Sequence, residues 1–143
     1  MRVGNKISFI NHEIKFALRD KEKLRGWIER CLKDYKKQTG LVTFIFCSDN
    51  YLLAINKQFL KHDTLTDIIT FDYTEGKTVS GEVYISTDRV KDNAKLFGVS
   101  FKNELHRVMI HGILHLCGHK DKTTSSKKEM TGKENYYLSL RGF

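Results

Sequence analysis

Apolar residues recur along the first half of the chain at two spacings, which separate helices from strands. Asp20 is a candidate N-cap, and the apolar residues that follow it at steps of three and four predict an amphipathic helix: Leu24, Trp27, Ile28, Cys31, Leu32 and Tyr35. Leu41 to Phe46 is short, β-branched and aromatic, which predicts a strand. Ser48 can cap a helix that continues to about Leu60.

Two more strands and three helices are predicted downstream. The strands, residues 68–73 and 81–86, flank a turn-rich segment and can pair as a hairpin. One helix ends at Gly98, a second runs from about Phe101 to Leu116 before Gly118, and a third begins at a capping box of Ser126 and Glu129. Because helices and strands mix without strict alternation, we expect an α+β fold.

The composition is that of one compact domain. The chain has 143 residues, no proline, and 40% hydrophobic residues, and no linker or repeat divides it, so we expect a single domain over residues 1–143. No apolar run approaches the roughly 18 to 20 residues of a membrane span. The N-terminal segment is no signal peptide, so we expect a cytoplasmic protein. Cys31, Cys47 and Cys117 are an odd number among apolar neighbours, which is typical of reduced core thiols.

The positive charge of the chain favours an anionic partner. The formal net charge is +8, and nucleic acid is the commonest partner of strongly basic proteins. A basic surface on the first helix could track a phosphate backbone or could be a solvated face: Lys21, Lys23, Arg30, Lys33, Lys36 and Lys37. Trp27 and the phenylalanines Phe44, Phe46 and Phe71 could stack on bases, but their spacing favours core positions.

The residues with the clearest chemistry lie around the end of the second predicted downstream helix. His111 and His115 are one helical turn apart on one face, so their imidazoles can converge on one metal ion. The chain can reverse after Gly118 and bring back a third ligand, and both His119 and Asp121 can serve. These residues predict a tridentate metal site at the end of a helix.

The residue after the first histidine argues against peptide hydrolysis. Metalloproteases of the H-E-x-x-H type place a general-base glutamate there, whereas this chain has Gly112. Three protein ligands leave a zinc ion free to activate a water molecule. Such a site suits attack on a phosphodiester, and the net charge of +8 suits a polyanionic substrate.

Several motifs in one order resemble the YbeY family of bacterial single-strand-specific metallo-endoribonucleases and rRNA maturation factors. The family pattern H-G-x-L-H-L-x-G is kept in His111, Gly112, Leu114, His115, Leu116 and Gly118. Segments 66–71 and 81–86 resemble further family motifs, as do the Glu-Met pair at 129–130 and the Lys-Glu pair at 133–134. The likeness spans about Leu41 to Leu138, and nothing diagnostic of the family precedes Leu41.

This chain departs from the family pattern at the third metal ligand. The family has a histidine six residues after the second one, and this chain has Asp121 there, while His119 falls on the family's aromatic position. We favour Asp121, because a carboxylate is an ordinary zinc ligand and the spacing is kept. The alternative is that His119 binds and Asp121 orients a ligating imidazole. A set of two histidines and one carboxylate also suits iron or manganese.

A second departure removes a cation. Leu60 stands where the family usually has an arginine thought to act on the phosphate. Arg107 is one candidate replacement, because it lies one turn before His111 on the ligand face, although residues of this kind are more often solvated helix residues with a buried stem. Lys61 and His62 are alternatives near Leu60. Thr66 and Asp67 could line the site or form a turn.

The resemblance implies a fold, an activity and partners. It implies a mixed sheet of about four strands flanked by helices, and one zinc ion held by His111, His115 and Asp121. It implies an endoribonuclease of single-stranded RNA that acts in maturation of the small-subunit rRNA 3′ end and in ribosome quality control, with the ribosome as partner and neither DNA nor membrane. One alternative is a non-catalytic RNA-binding protein of the ribosome whose metal is enclosed by a fourth ligand, such as His119 or Cys117. Another is a metallohydrolase of a different anionic substrate.

Overall fold

Four strands and five helices make up the computed structural model, which describes residues 6–143. In chain order they are β1 (Ile7–Asn11), α1 (Lys21–Asp34), β2 (Gln38–Cys47), α2 (Asp49–Phe59), β3 (Ile68–Asp72), β4 (Thr78–Ser86), α3 (Thr87–Phe97), α4 (Phe101–Leu116) and α5 (Thr124–Ser139). No helix in the part of the chain that the structure describes is long and apolar enough to cross a membrane.

The strands form one mixed sheet in the order β1-β2-β4-β3. β1, β2 and β4 run parallel, and β3 pairs antiparallel with β4, with Ile68 opposite Ile85 and Asp72 opposite Gly81. The predicted hairpin, the mixed sheet and the α+β class are therefore confirmed. β1 was not predicted, since this short edge strand has only Ile7 fully buried and Ile10 exposed.

The main core lies between α4 and one face of the sheet. Met109, Ile110, Ile113 and Leu114 of α4 are fully buried, and they join the inward side chains of β2 and β4 and the apolar face of α1. α2 packs against β3 and β4 and contributes to a smaller second cluster. This arrangement fixes α4, which carries both candidate histidine ligands, as the central helix of the fold.

The helix starts are fixed mainly by hydroxyl side chains. Ser48 accepts from the Tyr51 amide and Ser100 accepts from the Asn103 amide, as predicted. Asp20 precedes α1, but its backbone is left-handed and its side chain makes no capping hydrogen bond. The predicted N-cap of α5 at Ser126 is wrong. Thr123 is the N-cap, and Ser126 is its capping-box partner at the third helical position, so the helix begins a turn earlier.

Gly112 lets α4 approach the sheet closely. A Cβ atom at this position would lie 2.9 Å from Val83 Cγ1 and 3.1 Å from Ile68 Cδ1. Both distances are shorter than ordinary van der Waals contacts. A glutamate here would therefore point into the sheet and not toward the histidines. The glycine that argued against a metalloprotease in the sequence serves in the structure to seat the helix.

Candidate metal centre

His111 and His115 lie in the C-terminal half of α4, on a partly buried face that lines a cleft. Their ring centroids are 4.8 Å apart, as expected for residues one helical turn apart. The helix ends at Cys117, and Gly118 follows with φ of 103°, a backbone conformation that favours glycine. This turn reverses the chain directly after the second histidine.

The reversed chain brings Asp121 back to both imidazoles. Asp121 Oδ2 lies 3.3 Å from His111 Nε2 and 3.4 Å from His115 Nε2. Within residues 6–143, these three side chains are the one group of His, Cys, Asp and Glu whose ligand atoms all lie within 4.8 Å of one another. Two imidazole nitrogens and one carboxylate are a common donor set for zinc, iron and manganese, so the group could hold a metal ion.

Glu134 of α5 fixes the orientation of the His111 ring. His111 Nδ1 lies 2.6 Å from Glu134 Oε2, so the ring N–H donates to the carboxylate and Nε2 is left as the ligand atom. Glu134 is 6% exposed and accepts a second hydrogen bond, of 2.9 Å, from Arg107 Nη1. Nothing in the amino-acid sequence alone assigns a role to Glu134. Its one signal was that it stands in the Lys-Glu pair shared with the YbeY pattern.

The electrostatics differ between the two histidines. Burial alone lowers the pKa of His111, but the hydrogen bond and charge of Glu134, together with the charge of Asp121, outweigh it and raise the pKa. Burial and the neighbouring charge of His111 lower the pKa of His115, although Asp121 opposes them. Both rings must be unprotonated at Nε2 to bind a metal, so protons compete with the metal mainly at His111.

The two alternative ligands have other partners. His119 Nε2 lies 2.7 Å from Tyr35 Oη, and its Nδ1 lies 3.7 Å from Glu129 Oε1, so the ring is engaged between α1 and α5. Cys117 is half-buried beside the buried thiol of Cys31. Neither belongs to the three-residue group. Within the described residues, the group thus has three protein donors, the number typical of a catalytic metal site.

The three side chains open into a cleft of about 880 Å³ between α4 and the loop that enters β3. Leu60, His62, Thr66 and Asp67 line it on the loop side. Glu104 of α4 also lines it and is only 4% exposed. Burial raises the pKa of the carboxyl groups of both Glu104 and Asp67. Because its volume is about 880 Å³, the cleft can hold a ligand much larger than a single water molecule.

Of the candidate cations, Arg107 faces the cleft and Lys61 does not line it. Arg107 donates to Glu134 through Nη1 and to Asn135 through Nη2, at 2.9 Å and 2.7 Å, and its side chain is 28% exposed. Lys61 is exposed in the loop after α2, with φ of 55°. Leu60 lines the cleft as an apolar residue, 45% exposed.

The remaining candidates lie outside the cleft. Trp27, Phe44 and Phe46 are buried in the core, as their spacing predicted. Phe71 is half-buried and packs edge-to-face against Phe59. The predicted basic surface of α1 lines neither the cleft nor the depression along α5.

Comparisons with known proteins match nearly the whole chain. A family model described as Endoribonuclease YbeY matches residues 7–141. A Cytophaga hutchinsonii protein of the same name is 49% identical over 138 residues, which is 96% of each chain. A Flavobacterium psychrophilum protein, also so named, is 48% identical over 134 residues, 94% of this chain and 95% of that one. A solution structure of a Thermotoga maritima protein superposes with a TM-score of 0.64 at 29% identity, covering 93% of this chain and 87% of that one.

Proposed function

The chain belongs to the YbeY family of endoribonucleases, and from this premise we propose that it is a metal-dependent hydrolase of phosphodiester bonds in single-stranded RNA. The observation that carries the proposal is the gathering of His111, His115 and Asp121 around one point at the wall of an open cleft. Its role is maturation of rRNA at the small-subunit 3′ end and quality control of ribosomes in the cytoplasm. The ribosome is its partner, and neither DNA nor a membrane is.

His111 and His115 would hold the metal through their Nε2 atoms, and Asp121 through Oδ2. Zinc suits this donor set, and iron or manganese does also. When bound, such an ion supplies Lewis acidity, which makes a water molecule nucleophilic near neutral pH. Glu134 keeps His111 in the tautomer that presents Nε2, and the cleft admits an RNA strand to the open side of the group.

Arg107 is the cation that we propose for the developing charge on the phosphate. Its guanidinium lines the cleft one turn from His111, and two acceptors on α5, Glu134 and Asn135, hold it in place. An arginine positioned in this way presents fixed N–H donors to a phosphoryl group. It would thus supply the charge that the family arginine provides at the position of Leu60. Lys61 is a second candidate, one that would have to reach the cleft from its exposed loop.

The test of the role of Arg107 separates metal binding from catalysis. We expect Arg107→Ala to lower kcat for RNA cleavage by about 10²-fold to 10³-fold, the usual effect of removing one donor to a developing charge. Lys61→Ala tests the second candidate cation, Lys95→Ala at an exposed position of α3 is the control, and metal content is measured in all three variants. Unchanged cleavage by Arg107→Ala would exclude the arginine from the reaction.

The test of the activity itself uses the purified protein. We expect bound metal in stoichiometric amount, cleavage of single-stranded RNA, and loss of cleavage both with a chelator and in His115→Ala. His62→Ala, which changes a cleft histidine outside the group of three, should keep its metal. Peptides and phosphomonoesters should not be turned over. Cleavage that survives both the chelator and His115→Ala would contradict the proposal.

The leucine at position 60 favours a second candidate function. A protein without the family arginine could bind ribosomal RNA and hold a structural metal without cleaving. Such a site is closed by a fourth protein ligand, whereas the two nearby candidates here have other partners: His119 contacts Tyr35, and Cys117 lies beside Cys31. The geometry therefore supports the hydrolase better. Tight RNA binding by a metal-loaded protein that does not cleave would favour the second candidate.

A further inference from the structure

A shallow depression of about 560 Å³ runs along the outer face of α5. We name it the α5 groove, and residues spaced at helical intervals line it: Thr124, Lys127, Lys128, Thr131, Gly132 and Asn135. A Cβ atom at Gly132 would meet nothing within 4 Å, so the middle of the groove is open. Apart from Asn135, which accepts from Arg107, its lining residues have no part in the metal chemistry described above.

The α5 groove lies next to the metal cleft, although the two share no lining residue. Asn135, at one end of the groove, accepts a hydrogen bond of 2.7 Å from Arg107, which lines the cleft. At the other end, Lys122 lines the cleft and lies two residues before Thr124, the first residue of α5. An RNA strand that extends from the cleft past either of these points would reach the outer face of α5.

The charge of the groove suits a polyanion. Its two ionisable lining residues are Lys127 and Lys128, and no carboxylate lines it. The other lining side chains are hydroxyls and an amide, which can donate hydrogen bonds to phosphate oxygens. Glu129 follows Lys128 in the chain but lies outside the lining of the groove, near His119. The lining of the groove thus carries two positive charges and no negative one.

We propose that the α5 groove binds backbone phosphates of the RNA strand whose scissile bond lies in the metal cleft. This inference rests on the proposed function and adds the path of the substrate to it. Lysine ammonium groups neutralise phosphates without reading bases, so the contact contributes affinity for any sequence. A groove that holds phosphates beside the reaction site also fixes the register of the strand relative to the metal ligands.

The experiment compares two double variants that remove the same charge. Lys127→Gln with Lys128→Gln changes the groove, and Lys91→Gln with Lys95→Gln changes exposed positions of α3 that line neither cavity. All four lysines are exposed, so both proteins should fold, and circular dichroism checks this. The probe is a fluorescent oligouridylate of about twelve nucleotides, a length within the range that single-strand grooves occupy. Its binding is measured with chelator present over a range of salt concentrations.

We expect the slope of log affinity against log salt to fall by about 1.4 in the groove variant, from two lost contacts of about 0.7 each on a single strand. In the metal-loaded enzymes, KM for the same RNA should rise in the groove variant while kcat stays near that of the wild type. Equal salt slopes and KM values in the two double variants would overturn the groove while leaving the proposed function in place. Wild-type protein that neither binds nor cleaves the RNA would overturn both.

Discussion

Replacing Glu134 by glutamine removes a negative charge behind the candidate metal centre and keeps the size of the side chain. The carboxylate accepts from His111 Nδ1 at 2.6 Å and from Arg107 Nη1 at 2.9 Å, and only 8% of the side chain is exposed. Glutamine has one accepting oxygen for these two donors. If that oxygen takes the arginine, the amide N–H₂ faces His111 Nδ1 and favours the tautomer with the proton on Nε2, which cannot bind metal.

The magnitude follows from the role of such partners in metal sites. Removing a hydrogen-bond partner of a metal-ligating histidine typically costs 10-fold to 100-fold in metal affinity. This range corresponds to about 1.4 to 2.7 kcal/mol of binding free energy. We expect Glu134→Gln to lie near the upper end, because the buried carboxylate serves both the histidine and the arginine.

The effect should depend on pH in a defined direction. Glu134 is a main cause that raises the pKa of His111, so in the wild type protons displace metal as pH falls through that raised pKa. In Glu134→Gln the pKa of His111 drops, and proton competition begins at a lower pH. The difference in metal affinity between the two proteins should therefore be largest above the His111 pKa and should narrow as the solution is acidified.

The assay is a competitive titration of zinc against a chromophoric chelator, carried out at several pH values. Glu129→Gln is the matched control, since it makes the same chemical change on the same helix at a side chain that is 62% exposed and lies near His119. Equal zinc affinities of Glu134→Gln and Glu129→Gln would refute the reasoning. If the difference in zinc affinity between the wild type and Glu134→Gln widens as the pH falls, His111 is not the titrating group.

Three further predictions concern the seating of α4, the third ligand and acid stability. Gly112→Ala should lower the free energy of unfolding measured in urea by about 1 kcal/mol, because overpacking costs roughly 1–3 kcal/mol and alanine stabilises the helix by about 1 kcal/mol. In a Val83→Ala background this loss should disappear, and strictly additive effects of the two substitutions would contradict the contact. Asp121→His, which restores the family residue, should retain metal through dialysis that strips Asp121→Ala; equal metal contents would remove position 121 from the site. His106 has its pKa lowered to about 4 by burial and nearby Arg141 and Lys102, against 6.5 in the unfolded chain. Stability of the metal-free protein should therefore decline as pH falls from about 6.5 toward 4, by up to about 3 kcal/mol, and His106→Gln should flatten that decline.

The elements that sequence reasoning identified correctly are those with strong local signals. The helix that carries His111 and His115 was predicted with its start at Ser100 and its end before Gly118, because capping and helical periodicity act over a few residues. β1 was missed, since a short edge strand owes its structure to pairing with β2, more than thirty residues later in the chain. The predicted start of α5 was one turn too late, because a serine such as Ser126 can serve either as the N-cap or as the third helical residue of a capping box.

The amino-acid sequence by itself determined the two histidines on one helical face, the reversal at Gly118 and the positive charge, because each depends on neighbouring residues or on composition alone. Only the tertiary structure decided that Glu134 contacts His111 and Arg107, that His119 contacts Tyr35, and that Lys127 and Lys128 line a depression next to the cleft. These contacts join residues 23 to 84 positions apart. They exist because the packing of α4 against the sheet and α5 places those side chains together, which no local spacing specifies.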